Sequence, residues 1–443
     1  MTWSELLEYA NNKFMKSTPF HRRILPWVFA ITFLAAAPVV VFYTAGYRWN
    51  PKKEKIERNG TLILDSTPTH ASIFLNDNDT NETTPVTLQN VTPGVYRIRI
   101  EKDGYRSWEK QLEVVPERVT FANDILLWIN AAPESLSFEP IARVEAAPNA
   151  SALAMLESHA SSSRLIIWQP DTDSKRIYDI PRAIPDDATI SWSNDSRSVY
   201  VESSDSGWLI DTRSSSPALR VMSGIYRWNG NTLEGISGSS MVSIRSQDGS
   251  VTRSILPFGV VDKLGDMQIR SVTGTEDLVL FRNTDQTRGL ILPSGHWTIH
   301  NAEGSKLILR DGDHWLSVDP SKSSPHISTV TGDKLRPFIS NSSINYLTHS
   351  NGEIWTWIPS GEPELISRES TPVTQAVWLL NGKNIVVASD HEIYVLNIDT
   401  RDGRIRTPIA TFDTIRDFAI IGNVLYVAGI KDGKDTVWKI AMQ

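Results

Sequence analysis

Between Arg23 and Arg48 the chain carries no charged residue. The run ILPWVFAITFLAAAPVVVFYTAGY, residues 24–47, is 24 residues long. At ~1.5 Å of rise per residue, about 20 helical residues cross a hydrocarbon core of ~30 Å. Trp27 sits near one end of the run, and Tyr43, Tyr47 and Trp49 near the other, as side chains with an apolar body and a polar tip do at the two membrane interfaces. Pro26 falls in the first turn of the expected helix. Pro38 is interior, where its missing N–H predicts a kink. The run is longer than the apolar core of a secretion signal, and FYTAGY is a poor Ala-x-Ala cleavage site. The expectation is an uncleaved single-pass membrane anchor over 24–47.

Charge divides along the same line. Lys and Arg number 44, and Asp and Glu 51, for a net charge of −7. Residues 1–58 carry +5, so the remaining 385 carry −12. A mean hydropathy of −0.23 therefore averages one apolar helix with a large polar part. An acidic bulk argues against nucleic acid as a partner, since phosphate contact needs a positive surface. The basic flanks hold four Lys/Arg before the run and five after it, too even a count to orient the helix. The expected topology, a cytoplasmic N-terminus and extracytoplasmic C-terminal domains, leans on the resemblance given below. In the tail, residues 1–23, Thr2 and Glu5 have capping-box spacing. Trp3, Leu6, Leu7, Ala10 and Phe14 share a helical face, which predicts a short amphipathic helix on the membrane surface. Residues 48–59 read as a basic juxtamembrane linker.

Residues 60–130 read as a small β domain. Thr61–Asp65, Ala71–Leu75, Val95–Ile100 and Ser107–Val115 alternate or run apolar as strands do. Asn76–Asp79, Pro93-Gly94 and Asp103-Gly104 supply turns between them. The order Gly60-x-Leu62, Ser66-x-Pro68-x-x-Ala71-x-Ile73-x-Leu75, Thr84-Pro85-x-x-Leu88, Thr92-Pro93-Gly94-x-Tyr96-x-Ile98-x-Ile100 and Gly104-Tyr105 resembles the PEGA domain. The tetrapeptide that names that family stands here as Pro68-Thr69-His70-Ala71. Asn76-Asp77 replaces the glycine usual in the turn after the second strand. The resemblance implies a β-sandwich found in exported or membrane-anchored proteins, used as a spacer or binding module and without catalytic residues. Asn76–Glu82 is rich in oxygen atoms but lacks EF-hand spacing, and Asx turns account for its composition.

From residue 134 to 443 no helical period appears. Short strand-like runs pair across tight turns at 150–157 with 164–169, 198–202 with 207–211, 232–236 with 241–245, and 278–281 with 288–292. Four more pairs follow at 306–309 with 314–318, 344–348 with 353–357, 384–388 with 392–397, and 424–428 with 436–440. Eight hairpins recurring at about 35–40 residues predict a β-propeller, of eight blades or, as the alternative, seven. The run from Trp192 through Ser193 and Asp195 to Val201 resembles the TolB-type, WD40-like repeat, with Ser196 where that repeat has glycine. Trp378, Asn381 and Gly382 mark a weaker copy. Residues 136–139 could supply the strand that closes the ring and removes an exposed edge. Of 15 Trp residues, ten lie from Trp168 onward, where packing between sheets would use them.

The overall expectation is a mainly β chain: a transmembrane helix, a small PEGA-like sandwich and a C-terminal propeller. The absence of cysteine excludes disulfides, thiolate catalysis, Cys-ligated zinc and iron–sulfur clusters. No metalloprotease, hydrolase, P-loop or dinucleotide motif occurs. His296 and His300, if on one strand, would stand ~13 Å apart, too far to share a metal. No catalytic residue, cofactor or metal site is assigned. The expected function is binding or scaffolding at the cell envelope, with an envelope protein, a peptide or a cell-wall glycan docking on a propeller face. A propeller hydrolase or lyase using channel carboxylates is the alternative, and a purely structural spacer the third reading. The catalytic alternative predicts Asp, Glu, Arg or His clustered at one channel mouth.

Overall fold

The computed structural model describes residues 19–443 apart from 45, 51–54, 187, 204–205, 214–218, 222–223, 273–277, 283–284, 304–305, 321–326, 341–342 and 360. The amphipathic helix expected within residues 2–14 lies outside them. The chain divides into two compact units, Met1–Leu127 and Trp128–Gln443.

In the first unit, α1 (Pro19–Thr44) contains both Pro26 and Pro38. Its segment Ile24–Thr44, 21 residues of mean hydropathy 2.3, is long and apolar enough to cross a membrane, and none of it is buried in protein. Leu34 near its middle is 76% exposed. The helix ends three residues short of the expected boundary. Thr44 Oγ1 donates to the carbonyls of Val40 at 2.9 Å and Val41 at 3.1 Å, and Gly46 then takes a φ of +83° that turns the chain out of the helix. Tyr47 and Trp49 therefore stand on a strand. β1 (Tyr47–Asn50) pairs with β2 (Lys55–Arg58), placing Trp49 opposite Ile56. Within the stretch read as a linker, the residues on either side of 51–54 thus pair as strands, and Tyr47 packs edge-on against Phe42 at 5.3 Å.

A seven-stranded sandwich follows, comprising β3 (Gly60–Thr67), β4 (Ser72–Leu75), β5 (Asn78–Thr83), β6 (Val86–Val91), β7 (Gly94–Glu101), β8 (Trp108–Val114) and β9 (Val119–Leu126). One sheet has the order β6-β3-β9 and the other β5-β4-β7-β8. Alternation along β3 turns Leu62 and Leu64 inward, where they meet Ile73, Ile98, Ile100 and Leu112. Gly60 is required where it stands, because a Cβ there would lie 2.6 Å from Val115 O. The expected four-residue turn after β4 is shorter. Asn76 and Asp77 alone form it, with φ of +50° and +64°, and Asn78 and Asp79 already belong to β5. Two successive left-handed residues suit a tight hairpin, and Asn and Asp tolerate that conformation better than other side chains.

The second unit contains eight four-stranded antiparallel sheets among the described residues. Seven run consecutively over residues 143–180, 189–221, 225–255, 260–291, 298–331, 336–368 and 373–411. The eighth joins Glu134–Ser135 to the last three strands, residues 414–441, so the two ends of the unit share one sheet. The closing strand lies two residues earlier than expected. Leu136 N–H still bonds Val437 O at 2.8 Å, but Phe138 turns back on Leu136 O at 3.0 Å and packs edge-on against Trp168 at 5.2 Å, which ends the ladder.

All eight expected hairpins form. In the fourth sheet the pair at 278–291 is the third and fourth strands, whereas elsewhere it is the second and third. Met267–Ser271 supplies the second strand there. Tryptophans fill the seams between sheets. Trp192 and Trp208 belong to the core joining the first two sheets. Trp168 meets Tyr426 of the last sheet at 5.4 Å, and Trp315 and Trp357 are fully buried.

Candidate functional site

In the second unit Arg336–Ser340 packs on Val373–Trp378, that strand on Thr414–Ile421, and that one on Arg143–Ala146, and polar side chains on these strands both tie the sheets together and line the channel. A bulge between Ile415 and Asp417 turns the Asp417 side chain toward the first sheet, where Oδ2 accepts the Val144 N–H at 3.0 Å. Bulges at Val373/Gln375 and Val260/Asp262 do the same in other sheets. Gln375 bonds both the N–H and the carbonyl of Phe418, at 3.0 and 2.9 Å. Asp262 accepts Ile299 N–H at 2.6 Å and is gripped by the Arg227 guanidinium, whose Nη1 lies 2.8 Å away. A bulge re-aims one side chain and leaves its backbone unpaired, and here the re-aimed group bonds the neighbouring sheet.

Around this lattice a cavity of about 330 Å³ opens at the channel, lined by Arg143, Glu145, Lys334, Arg336, His349 and Asp417 among others. Arg310, Asp333 and Arg416 also reach it. Arg336 approaches Glu145 at 3.4 Å, and His349 Nδ1 lies 3.8 Å from Asp333, too far for a hydrogen bond. Burial raises the Asp417 carboxyl above its ordinary value, and Glu145 adds to the rise against the bond from Val144. Lys334 keeps a solvent-facing surface at the mouth, yet the protein crowding around it lowers its ammonium. Arg336 lowers it further. Burial likewise lowers His349, with Asp333 opposing. A second polar group surrounds His300, which burial and the charges of Arg227 and Arg310 push down to about 4, while burial raises Glu202.

The residues singled out in the sequence occupy other places. Trp27, Pro38 and Tyr43 lie on α1, and Tyr47 and Trp49 on the strand after it. In the sandwich, Ala71 and Pro93 are buried, Gly94 opens β7, and Tyr96 donates to Thr92 O at 2.8 Å. Gly104 takes a left-handed φ of +82°, and Tyr105 packs against the core. The loop from Pro68 to Ala71 is held by Thr84, just before Pro85. Thr84 Oγ1 bonds Ser66 Oγ at 2.6 Å and accepts Ala71 N–H at 3.1 Å.

In the propeller repeat, Trp192 Nε1 donates to Glu145 O at 3.2 Å. Ser193 Oγ donates to Asp195 Oδ1 at 2.7 Å, and Ser196 takes the φ of +58° for which glycine is usual. Trp378 is buried. Asn381 Oδ1 accepts the N–H groups of Lys383 and Asn384 at 2.9 and 3.1 Å, and a Cβ on Gly382 would collide with the Phe338 ring. These are fold-forming roles.

The oxygen-rich turn is occupied by protein. Asn76 Oδ1 accepts Arg97 N–H at 3.0 Å, Asp79 Oδ1 accepts Asn81 N–H at 2.8 Å, and Asp77 pairs with Arg97 at 3.2 Å. No group of three His, Asp or Glu among the described residues is placed to hold a metal. His296 precedes the strand that carries His300, so the two do not share the strand face assumed for them. The channel residues left no motif in the sequence. Their signal is a charged or amide residue on four of the channel-facing strands, at Arg143, Arg336, Gln375 and Arg416-Asp417.

Residues 59–125 match the family model described as the PEGA domain. No curated protein matches the chain. Similar solved structures include the WD40 repeats of RRP9, at 12% identity over 71% of this chain and 98% of that one, with a TM-score of 0.45. The Dos1 propeller is similar at 12% identity over 70% and 93%, TM-score 0.43. Hydrazine synthase of Kuenenia stuttgartiensis is similar at 13% over 71% and 99%, TM-score 0.36.

Proposed function

We propose that this chain is a membrane-anchored binding protein of the cell envelope, with α1 in the bilayer and both folded units on the extracytoplasmic side. A ligand docks at the channel mouth of the propeller. The observation that carries the reading is the charged cavity at the channel, lined from several sheets at once, where a partner would touch many strands of a rigid ring. The PEGA match supports export, since such domains belong to exported or anchored proteins.

The channel cluster is also what a hydrolase or lyase would need, so that second reading keeps an observation in its favour. How the cluster is bonded supports binding instead. Both Asp417 oxygens accept backbone N–H groups, from Val144 and from Phe418 at 3.0 Å each. Among the described residues His349 bonds no hydroxyl, so a base poised on a nucleophile has no support. Two experiments test the proposal. Protease added to intact cells should digest the propeller, and full protection would reverse the topology. Full-length chain in detergent should capture envelope material that the channel-blocking Thr374→Trp variant does not. Equal capture by both would move the ligand off the channel.

A further inference from the structure

We propose that the channel mouth is an oxyanion site, in which Arg143, Lys334 and Arg336 receive a carboxylate or phosphate group of the ligand. The inference rests on the channel being the ligand site. Its first support is charge. Five cationic side chains line the cavity (Arg143, Arg310, Lys334, Arg336 and Arg416) against three carboxylates, Glu145, Asp333 and Asp417. This excess of positive charge sits in a chain whose residues 59–443 carry −12.

Its second support is the accounting of partners. Arg416 bonds Ile141 O at 2.8 Å and pairs with Asp435. Arg310 donates to Gly312 O at 2.7 Å and lies over the Trp315 ring at 5.0 Å. Arg336 has Glu145 at 3.4 Å. Arg143 and Lys334 are left without a hydrogen bond or ion pair among the described residues. Lys334 stands in the repulsive field of Arg336 and, less strongly, of Arg143, with Glu145 and Asp417 opposing them from a distance. Like charges crowded in a partly enclosed cavity repel, and a bound anion would relieve them. A guanidinium fork also matches the planar spacing of two oxyanion oxygens.

The third support is His349. Its side chain is 9% exposed, and its Nδ1 is buried without a hydrogen-bond partner. A buried polar atom in that state costs stability unless a ligand or water completes it. It lines the same cavity and would complete the ligand's polar contacts.

The test is calorimetric titration of the full-length chain in an uncharged detergent with inorganic phosphate and, separately, succinate, against sodium chloride at matched ionic strength. Saturable binding of either anion is expected, and the better of the two names the source. The Arg143→Gln/Lys334→Gln double variant should weaken it about tenfold or more. Glu145→Gln, which removes a negative charge and releases Arg336 from its ion pair while keeping every cation, should tighten it about two- to fivefold. This opposite-signed change decides the matter if the double variant does not fold. Heats no different from chloride, or an affinity unchanged in these variants, overturn the proposal. If the anions fail while Thr374→Trp still abolishes capture of envelope material, the channel remains the ligand site and its oxyanion chemistry is wrong. If capture is insensitive to that substitution as well, the ligand sits off the channel and the channel reading falls with the oxyanion site.

Discussion

Asp417 Oδ2 accepts the backbone N–H of Val144 at 3.0 Å across 273 residues of sequence, joining the last sheet of the propeller to the first. Together with the strand Glu134–Ser135 paired on Lys439 and Trp438, it closes the ring twice, once at the channel and once at the rim. Gln375 and Asp262 make equivalent bonds elsewhere. The lattice that holds the sheets in place is thus the same lattice that sets out the channel.

Removing the Asp417 carboxylate should loosen that closure. Asp417→Ala leaves the buried Val144 N–H without its acceptor, at a cost of about 1–3 kcal/mol. Asp417→Asn keeps an oxygen for Val144 and should cost less. The pH dependence separates the two effects. Burial raises the folded carboxyl above its unfolded value, so the folded state binds more protons between those two values. Stability contributed by this group therefore falls as pH rises through that window. Urea denaturation followed by Trp fluorescence should find Asp417→Asn gaining on the wild type from pH 4 to pH 7. A constant gap would mean that the carboxyl is not raised.

His300 works in the opposite sense on the other part of the channel. Its imidazole, 4.8 Å from the Trp315 ring, is pushed down to about 4. An unfolded histidine titrates near ~6.5, so the unfolded chain takes up the proton first as pH falls. Stability should decline between about 6.5 and 4, by up to roughly 3 kcal/mol, with no further loss from this group below it. His300→Gln should flatten that limb of a melting-temperature profile. A variant with the wild-type acid limb would place the titrating group elsewhere.

Much of the architecture was legible because its causes are local. Alternation in Val95–Ile100 and the turn chemistry of Pro93-Gly94 act within a few residues. The hairpins of the propeller each close over short turns. Ser196 and the Asn76-Asp77 pair could be read as stand-ins for glycine because the backbone conformation they adopt belongs to the turn itself. What escaped depends on distant partners. The phase of the fourth sheet is set by Met267–Ser271 pairing with Leu278–Arg282, and the hairpin at 278–291 looks the same in either phase. The channel cluster draws on residues from 143 to 417, which only ring closure brings together. Gln375 and Asp417 look like surface residues on their own strands until a bulge turns them toward a neighbour. The end of α1 escaped for another reason: Ala45, Gly46 and Tyr47 are apolar enough to extend the run, and hydropathy does not register the left-handed glycine.

The turn around Gly382 offers a test of the weaker repeat. Gly382 has a φ of +62°, and a side chain there would meet Phe338 of the preceding sheet. Gly382→Ala combines a left-handed penalty of about 1 kcal/mol with overpacking of about 1–3 kcal/mol. A melting temperature lowered by several degrees is expected. In the Phe338→Ala background Gly382→Ala should cost only about 1 kcal/mol more, since the collision is gone and the backbone penalty remains. A double variant losing the full sum would show that the glycine is needed for its backbone alone.

Membrane anchoring makes the most direct demand on α1. Leu34 lies near the middle of the Ile24–Thr44 segment, with its side chain exposed, so in a bilayer it would face lipid. An arginine at a helix centre costs roughly 3 kcal/mol on insertion scales. With only 21 residues in the segment, sliding the helix to bring that charge to an interface would expose apolar residues at the other end. Leu34→Arg should therefore shift the chain from the carbonate-washed membrane pellet toward the soluble fraction, while Leu34→Phe stays with the wild type. The folded units contribute no comparable apolar helix among the described residues. If Leu34→Arg remains wholly in the pellet, something other than α1 holds the protein to the membrane.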